Sequence, residues 1–137
     1  MTYLLDTNVV SELRRPETAN PDVKAFAAAH SAEQFFLSAI SVLELETGVL
    51  RVERRDARRG ERLRRWLERK VLLPFDGRIL PFDAEAARCW ARLHVPDRLP
   101  ERDAMIAATA LVRGLVVVTR NPKDFEATGV RLLNPWR

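Results

Sequence analysis

The chain has 137 residues, 47% of them apolar and 31% charged, which is typical of a globular protein and excludes a disordered chain. It contains no run of about 18 apolar residues and no signal-peptide pattern, so we expect neither a membrane span nor secretion. Its single cysteine, Cys89, cannot form an internal disulfide. We therefore expect one domain, residues 1–137, in a reducing, cytoplasmic setting.

The first half of the chain predicts two buried strands, each followed by helical segments. Continuous apolar runs such as YLL and FFL are typical of strands buried on both faces of a parallel sheet. The predicted strands are 3–6 and 34–38, and helical patterns occupy 8–14, the segment from 20 onward, and 41 to about 70. Gly60 is the expected break in the last of these helices.

The second half continues the alternation of strands and helices. Predicted strands are 78–80, 115–119 and 130–134, and predicted helices are 84–95 and 102–114. Asp83 is a suitable N-cap for the first helix, and Gly114 is suited to end the second. This alternation predicts a layered α/β fold with a mainly parallel central sheet.

The positive charge is concentrated in residues 51–70. This segment holds ten Arg or Lys against four Asp or Glu. Its net charge of +6 is therefore larger than the +4 of the whole chain. One interpretation is a solvated helix that buries Leu63, Trp66 and Leu67 at helical spacing. The other is a surface that attracts the phosphates of a nucleic acid.

Several polar residues follow predicted strands or begin the next helices. Asp6 ends the first strand, Glu44 lies in the early turns of the helix after the second strand, and Asp103 lies in the first turn of the alanine-rich helix. Because ligands bind at the carboxyl ends of parallel strands, these three acids are candidates for one cluster. Each acid has a simpler interpretation, since Asp and Glu also cap or stabilise helix N-termini.

A cluster of this composition favours a hard metal ion. Carboxylates in a cleft repel one another unless a proton or a cation enters, and oxygen ligands without His or Cys favour Mg²⁺ or Mn²⁺. A metal held in this way activates water against a phosphodiester and stabilises the leaving oxygen. In a nuclease, the basic segment would attract the nucleic acid, which the acidic site would otherwise repel.

The motifs taken together resemble the PIN domain, specifically the VapC and FitB-like toxin ribonucleases. The resemblance covers nearly the whole chain in order, and its segments are LLDTNVVSEL (4–13), LSAISVLELETG (37–48), GRILPFD (77–83), RDAMIAATALVRGL (102–115), VVTRNPKDF (117–125) and LLNPW (132–136). It implies a three-layer α/β/α sandwich. It also implies an RNA-cleaving, Mg²⁺- or Mn²⁺-dependent site formed by Asp6, Glu44 and Asp103.

The resemblance also implies supporting residues and partners. Thr7, Asn8 and Thr119 match residues that brace the first acid. Many members carry a fourth acid where this chain has Asn121, which brings no charge and leaves Asp124 as a substitute candidate. A cognate VapB-like antitoxin whose tail covers the acidic site, a homodimer and higher assembly with antitoxin are the implied partners.

Two other interpretations compete with this one. Phosphohydrolases of the haloacid dehalogenase type use an aspartate nucleophile with a second carboxylate two residues later, and that position here is Asn8. Asn121 instead motivates a PIN-like module that binds RNA or a partner without cleaving. Neither the RNA target nor the number of metal ions follows from the sequence.

Overall fold

The computed structural model describes residues 1–137 and contains one five-stranded sheet. The strands are β1 (Tyr3–Leu5), β2 (Phe35–Ser38), β3 (Ile79–Leu80), β4 (Val116–Val118) and β5 (Leu132–Leu133), and the helices are α1 (Thr7–Glu12), α2 (Pro21–Ala28), α3 (Ala39–Arg55), α4 (Ala57–Trp66), α5 (Ala84–Leu93) and α6 (Glu101–Arg113). The strand order is β3-β2-β1-β4-β5, and every pairing is parallel. The predicted parallel α/β architecture is confirmed.

Two hydrophobic cores lie on opposite faces of this sheet. Successive side chains in a strand point to opposite faces, so Tyr3 and Leu5 enter one core while Leu4 enters the other. The first core also contains residues of α1, α2 and α3, and the second contains Ile106 of α6 and Phe125. Helices therefore cover both faces, as the three-layer α/β/α prediction requires.

The long helical segment breaks at Asp56, so the predicted break at Gly60 is wrong. Asp56 has extended backbone angles, and its side chain accepts a hydrogen bond from the backbone N of Arg59 at 3.1 Å, which starts α4. Gly60 is buried where α4 packs on α3, and a Cβ there would lie 2.4 Å from the Cα of Glu53. The glycine permits close helix packing and leaves α4 unbroken.

The remaining boundaries differ by shorter amounts. α4 runs directly into a π-helical turn at Leu67–Leu72, which the sequence did not predict, and the predicted strand at 130–134 is only Leu132–Leu133. Asp83 caps α5 through the backbone N of Ala86, and Gly114 ends α6 with φ +69°, as predicted. No helix has the length and apolar character needed to cross a membrane.

Candidate metal centre

Asp6 lies directly after β1, at the carboxyl edge of the sheet, and is only 8% exposed. Its Oδ1 accepts a hydrogen bond from the backbone N of Thr7 at 2.8 Å, so it caps α1 as the simpler interpretation requires. Its Oδ2 accepts from Thr119 Oγ1 at 2.8 Å and from Asn8 Nδ2 at 3.3 Å. A cap alone needs neither burial nor two further donors, so Asp6 is held in one orientation by the segments that follow two strands.

Thr7 joins the first acid to the second. Its hydroxyl donates a hydrogen bond to Glu44 Oε1 at 2.7 Å, across 37 residues of sequence. Its backbone N donates a hydrogen bond to Asp6 Oδ1. The fully buried Ser41 places its Oγ 3.0 Å from Thr7 Oγ1 and lies one helical turn before Glu44. The sequence did not predict a role for Ser41, although its i, i+3 spacing from Glu44 puts both residues on one helix face.

Glu44 and the neighbouring Glu46 point in different directions from α3. Glu44 faces the site, and its Oε2 lies 3.6 Å from Arg102 Nη1. Glu46 instead forms a two-pronged ion pair with Arg64 of α4, at 2.7 and 2.6 Å. Glu46 is thus a structural salt-bridge partner, and one residue of the arginine-rich segment, Arg64, holds α3 and α4 together.

Asp103 lies in the first turn of α6 and is partly buried. Burial raises its pKa from 3.8 to about 6, and the negative charges of Asp6, Asp124 and Glu44 add to the effect in that order. Burial also raises the pKa of Asp6, with Glu44 and Asp124 contributing, although the hydrogen bonds from Thr119 and Thr7 oppose it. The pKa of each of these two acids is therefore raised in part by Glu44 and Asp124, which belong to other segments.

The segment after β4 supplies the far side of the site. Thr119 is fully buried and, besides binding Asp6, accepts a hydrogen bond from the backbone N of Asn121 at 3.1 Å. The Asn121 side chain is exposed, and no hydrogen bond from it is found. Asn8 connects this segment to Asp6, since its Oδ1 accepts from the backbone N of Arg120 at 3.3 Å.

The donor chemistry of the site suits a hard cation. All candidate ligands are carboxylate oxygens, and the negative charges of Asp6, Asp124 and Glu44 add to burial in raising the pKa of Asp103. No group of three or more His, Cys, Asp or Glu side chains is gathered closely enough to form a ready-made metal site. The acids are thus electrostatically coupled, and a bound ion would have to draw them together.

Four cations of the arginine-rich segment rim a cavity of about 730 Å³ between α1, α2 and the end of α4, and none of the four acids lines it. The walls of this cavity are apolar, and they include Val9, Val10, Leu13, Phe26 and Trp66. The rim carries Arg14, Arg62, Arg65, Arg69 and Lys70. We call this cavity the basic-rimmed groove.

Known proteins resemble this chain over nearly its full length. The sequence model of the PIN domain matches residues 3–130. A protein named VapC ribonuclease Y4jK from Sinorhizobium fredii is 39% identical, with 97% of this chain and 96% of that protein aligned. A protein named Toxin FitB from Neisseria gonorrhoeae is 40% identical over 97% of each chain.

The fold comparison agrees with the sequence comparison. The crystal structure of FitAcB from Neisseria gonorrhoeae superposes with a TM-score of 0.90 at 38% identity, covering 99% of both chains. The parallel sheet, the helices on both faces and the acids at its carboxyl edge thus occur in a chain whose relatives are named as ribonuclease and toxin. The chain belongs to the PIN domain family, in the group that includes the VapC ribonucleases and the FitB toxin.

Proposed function

We propose that this chain is a Mg²⁺- or Mn²⁺-dependent endoribonuclease that acts as the toxin of a toxin–antitoxin pair. The observation that carries the proposal is that Thr7 links Asp6 to Glu44 by hydrogen bonds, while neighbouring acids add to burial in raising the pKa of Asp6 and Asp103. Burying acids beside one another costs stability, and a cation that binds them offsets this cost. The relatives named as ribonucleases support RNA as the substrate.

Asp6, Glu44 and Asp103 are the residues we propose to hold the metal. When bound, a divalent ion would polarise the scissile phosphate and supply an activated water. The chain's own residues orient the ligands: Thr7 fixes one oxygen of Glu44, and Thr119 fixes one oxygen of Asp6. Such outer hydrogen bonds reduce the freedom of a ligand before the metal arrives.

Asp6→Asn tests the proposed site directly. The substitution keeps the size of the side chain and removes its charge, so RNA cleavage with Mg²⁺ or Mn²⁺ should fall by at least about a hundredfold, since loss of even an outer partner costs about ten- to a hundredfold. Asp22→Asn, at an exposed position in α2, is the matched control and should cleave like the wild type. Circular dichroism would verify that both variants fold.

The binding-module interpretation makes the opposite prediction. It requires purified wild-type protein to bind RNA without cleaving it in either metal and in the absence of any antitoxin. Cleavage that persists in Asp6→Asn, or in excess chelator, would refute the metal mechanism. A cleavage activity that depends on both Asp6 and the metal would exclude the binding module.

We further propose that the basic-rimmed groove binds an acidic amphipathic segment of a cognate antitoxin. The groove offers apolar walls for one side of such a segment and five cations for the other. Similarity to a protein named Toxin FitB supports an antitoxin as the partner, and the cations of the groove favour an acidic one. The predicted homodimer stays a prediction, for which the exposed Leu43 and Leu50 on α3 are candidate contacts.

Charge reversal at the rim tests the groove. A cognate antitoxin, sought in the neighbouring reading frame, should bind this chain more weakly when both Arg62 and Arg69 become Glu, because rim charges set electrostatic complementarity. Arg88→Glu, at an exposed position in α5, is the control and should bind normally. Isothermal titration calorimetry at two salt concentrations would measure the change. Equal affinity of all three proteins would place the antitoxin elsewhere.

A further inference from the structure

Arg102 is the only cationic side chain that forms an ion pair with any of the four acids. Its Nη1 lies 3.6 Å from Glu44 Oε2, with side-chain exposures of 60% for Arg102 and 26% for Glu44. The distance exceeds that of a hydrogen bond, so the contact is a loose Coulombic one. An exposed pair of this kind contributes at most about 1 kcal/mol and exchanges readily.

The two oxygens of Glu44 have different surroundings. Oε1 receives the hydroxyl of Thr7 at 2.7 Å, which fixes the carboxylate against α1. Oε2 has no hydrogen-bond donor and faces only Arg102. The oxygen available to a metal is therefore the one that Arg102 occupies, and a divalent cation there would repel the guanidinium.

Arg102 has an alternative ligand if the substrate is RNA. It lies in the first turn of α6, immediately before Asp103, and its side chain is exposed. A guanidinium matches the geometry of a phosphate, and a phosphate near Asp103 would be within reach of the preceding residue. The positive N-terminal end of α6 adds to this attraction.

We propose that Arg102 exchanges between Glu44 and a phosphate of the RNA. This inference rests on the proposed nuclease function and adds a residue to it. In the absence of RNA, Arg102 competes with the metal for Glu44. Binding of RNA removes Arg102 from Glu44, so RNA and metal strengthen each other's binding by the same factor. Arg102 is a substrate-binding residue that also delays metal loading until substrate is present.

Two binding measurements on Arg102→Ala test this exchange without measuring cleavage. Mn²⁺ binding, followed by the electron paramagnetic resonance signal of the free ion, should become about two- to fivefold tighter, as expected for loss of a pair worth at most about 1 kcal/mol. Binding of a mixed-sequence single-stranded RNA in chelator should weaken. A plot of the logarithm of the RNA-binding constant against the logarithm of the salt concentration should become less steep by about 0.7, the value for one phosphate contact on a single strand.

Three variants show whether the effect belongs to the Arg102 guanidinium and to the metal site. Arg98→Ala removes an exposed arginine that pairs with Glu101 and should change neither measurement. Arg102→Lys retains a cation and should lie between the wild type and Arg102→Ala. Asp6→Asn should abolish Mn²⁺ binding.

The outcomes are distinguishable. If Asp6→Asn abolishes Mn²⁺ binding while Arg102→Ala leaves it unchanged or weaker, the Arg102 exchange is wrong and the metal site stands. An unchanged RNA affinity or salt slope in Arg102→Ala also overturns the exchange. Absence of Mn²⁺ binding by the wild type overturns both proposals.

Discussion

Asp103→Asn should make the metal-free protein more stable at neutral pH while removing its ability to bind metal. Asp103 is partly buried among three other acids, and its pKa is raised from 3.8 to about 6. A carboxyl group with a raised pKa is charged more readily in the unfolded chain than in the folded protein. Folding therefore becomes less favourable as the pH rises from about 4 to about 6.

The size of the effect follows from the shift in pKa. Each unit corresponds to about 1.4 kcal/mol, so a shift of this size costs the wild type about 3 kcal/mol above pH 6. Solvent screening at a partly exposed group lowers this figure, as does loss of a favourable charge at the start of α6, worth about 0.3–1 kcal/mol. We expect Asp103→Asn to gain about 1–2 kcal/mol at pH 7.5 and almost none of this gain below pH 4.

Urea unfolding at several pH values, in the presence of chelator, would measure the difference between the two proteins. The control is Glu101→Gln, which removes an exposed acid from the same helical turn. Glu101 pairs with Arg98 and not with a residue of the candidate site. It should lose a few tenths of a kcal/mol at pH 7.5, the opposite sign. If both variants lose stability, or if the gain is independent of pH, then the four acids do not form a destabilising cluster. Adding Mn²⁺ should stabilise the wild type and Glu101→Gln, which retain Asp103, but not Asp103→Asn.

Two further substitutions have predictable effects. Gly60→Ala should lower the free energy of unfolding in urea by about 1–3 kcal/mol, because the added Cβ would meet the backbone of Glu53, whereas Gly48→Ala in α3 meets nothing within 4 Å and should gain about 0.5–1 kcal/mol. Equal effects of the two would contradict the close α3–α4 contact. Thr7→Val removes the hydroxyl that positions Glu44 and should slow RNA cleavage by about ten- to a hundredfold without unfolding the protein, while Thr7→Ser should restore the rate.

Local signals predicted the elements that local chemistry controls. The continuous apolar runs gave the buried strands because a parallel sheet covered on both faces needs apolar residues in succession. Asp83 and Gly114 marked helix ends because capping and positive φ depend on the residue itself. The order of strands and helices then placed Asp6, Glu44 and Asp103 near one edge.

Tertiary contacts control the features that the sequence did not predict. Gly60 has the chemistry of a helix breaker, yet its position opposite Glu53 makes it a packing residue, while Asp56 ends α3 by capping α4. The contact between Arg102 and Glu44 joins helices 58 residues apart in sequence, and the Thr7 bond to Glu44 joins segments 37 apart. No local pattern fixes the relative orientation of such side chains.

The fourth negative charge near the candidate site comes from Asp124, which tertiary structure brings close to the other acids. The resemblance implies an acid at the position of Asn121. Here the backbone N of Asn121 donates a hydrogen bond to Thr119 Oγ1, and the Asn121 side chain is exposed. Asp124 lies three residues later, in the 3₁₀ turn Pro122–Asp124 that Asn121 precedes, and its charge raises the pKa of both Asp6 and Asp103. Because the affinity of a site for a divalent ion depends on its total charge, we expect Asp124 to contribute to metal binding although the motif position is neutral. It adds a fourth negative charge near the three predicted ligands, three residues after the position at which the resemblance implies an acid.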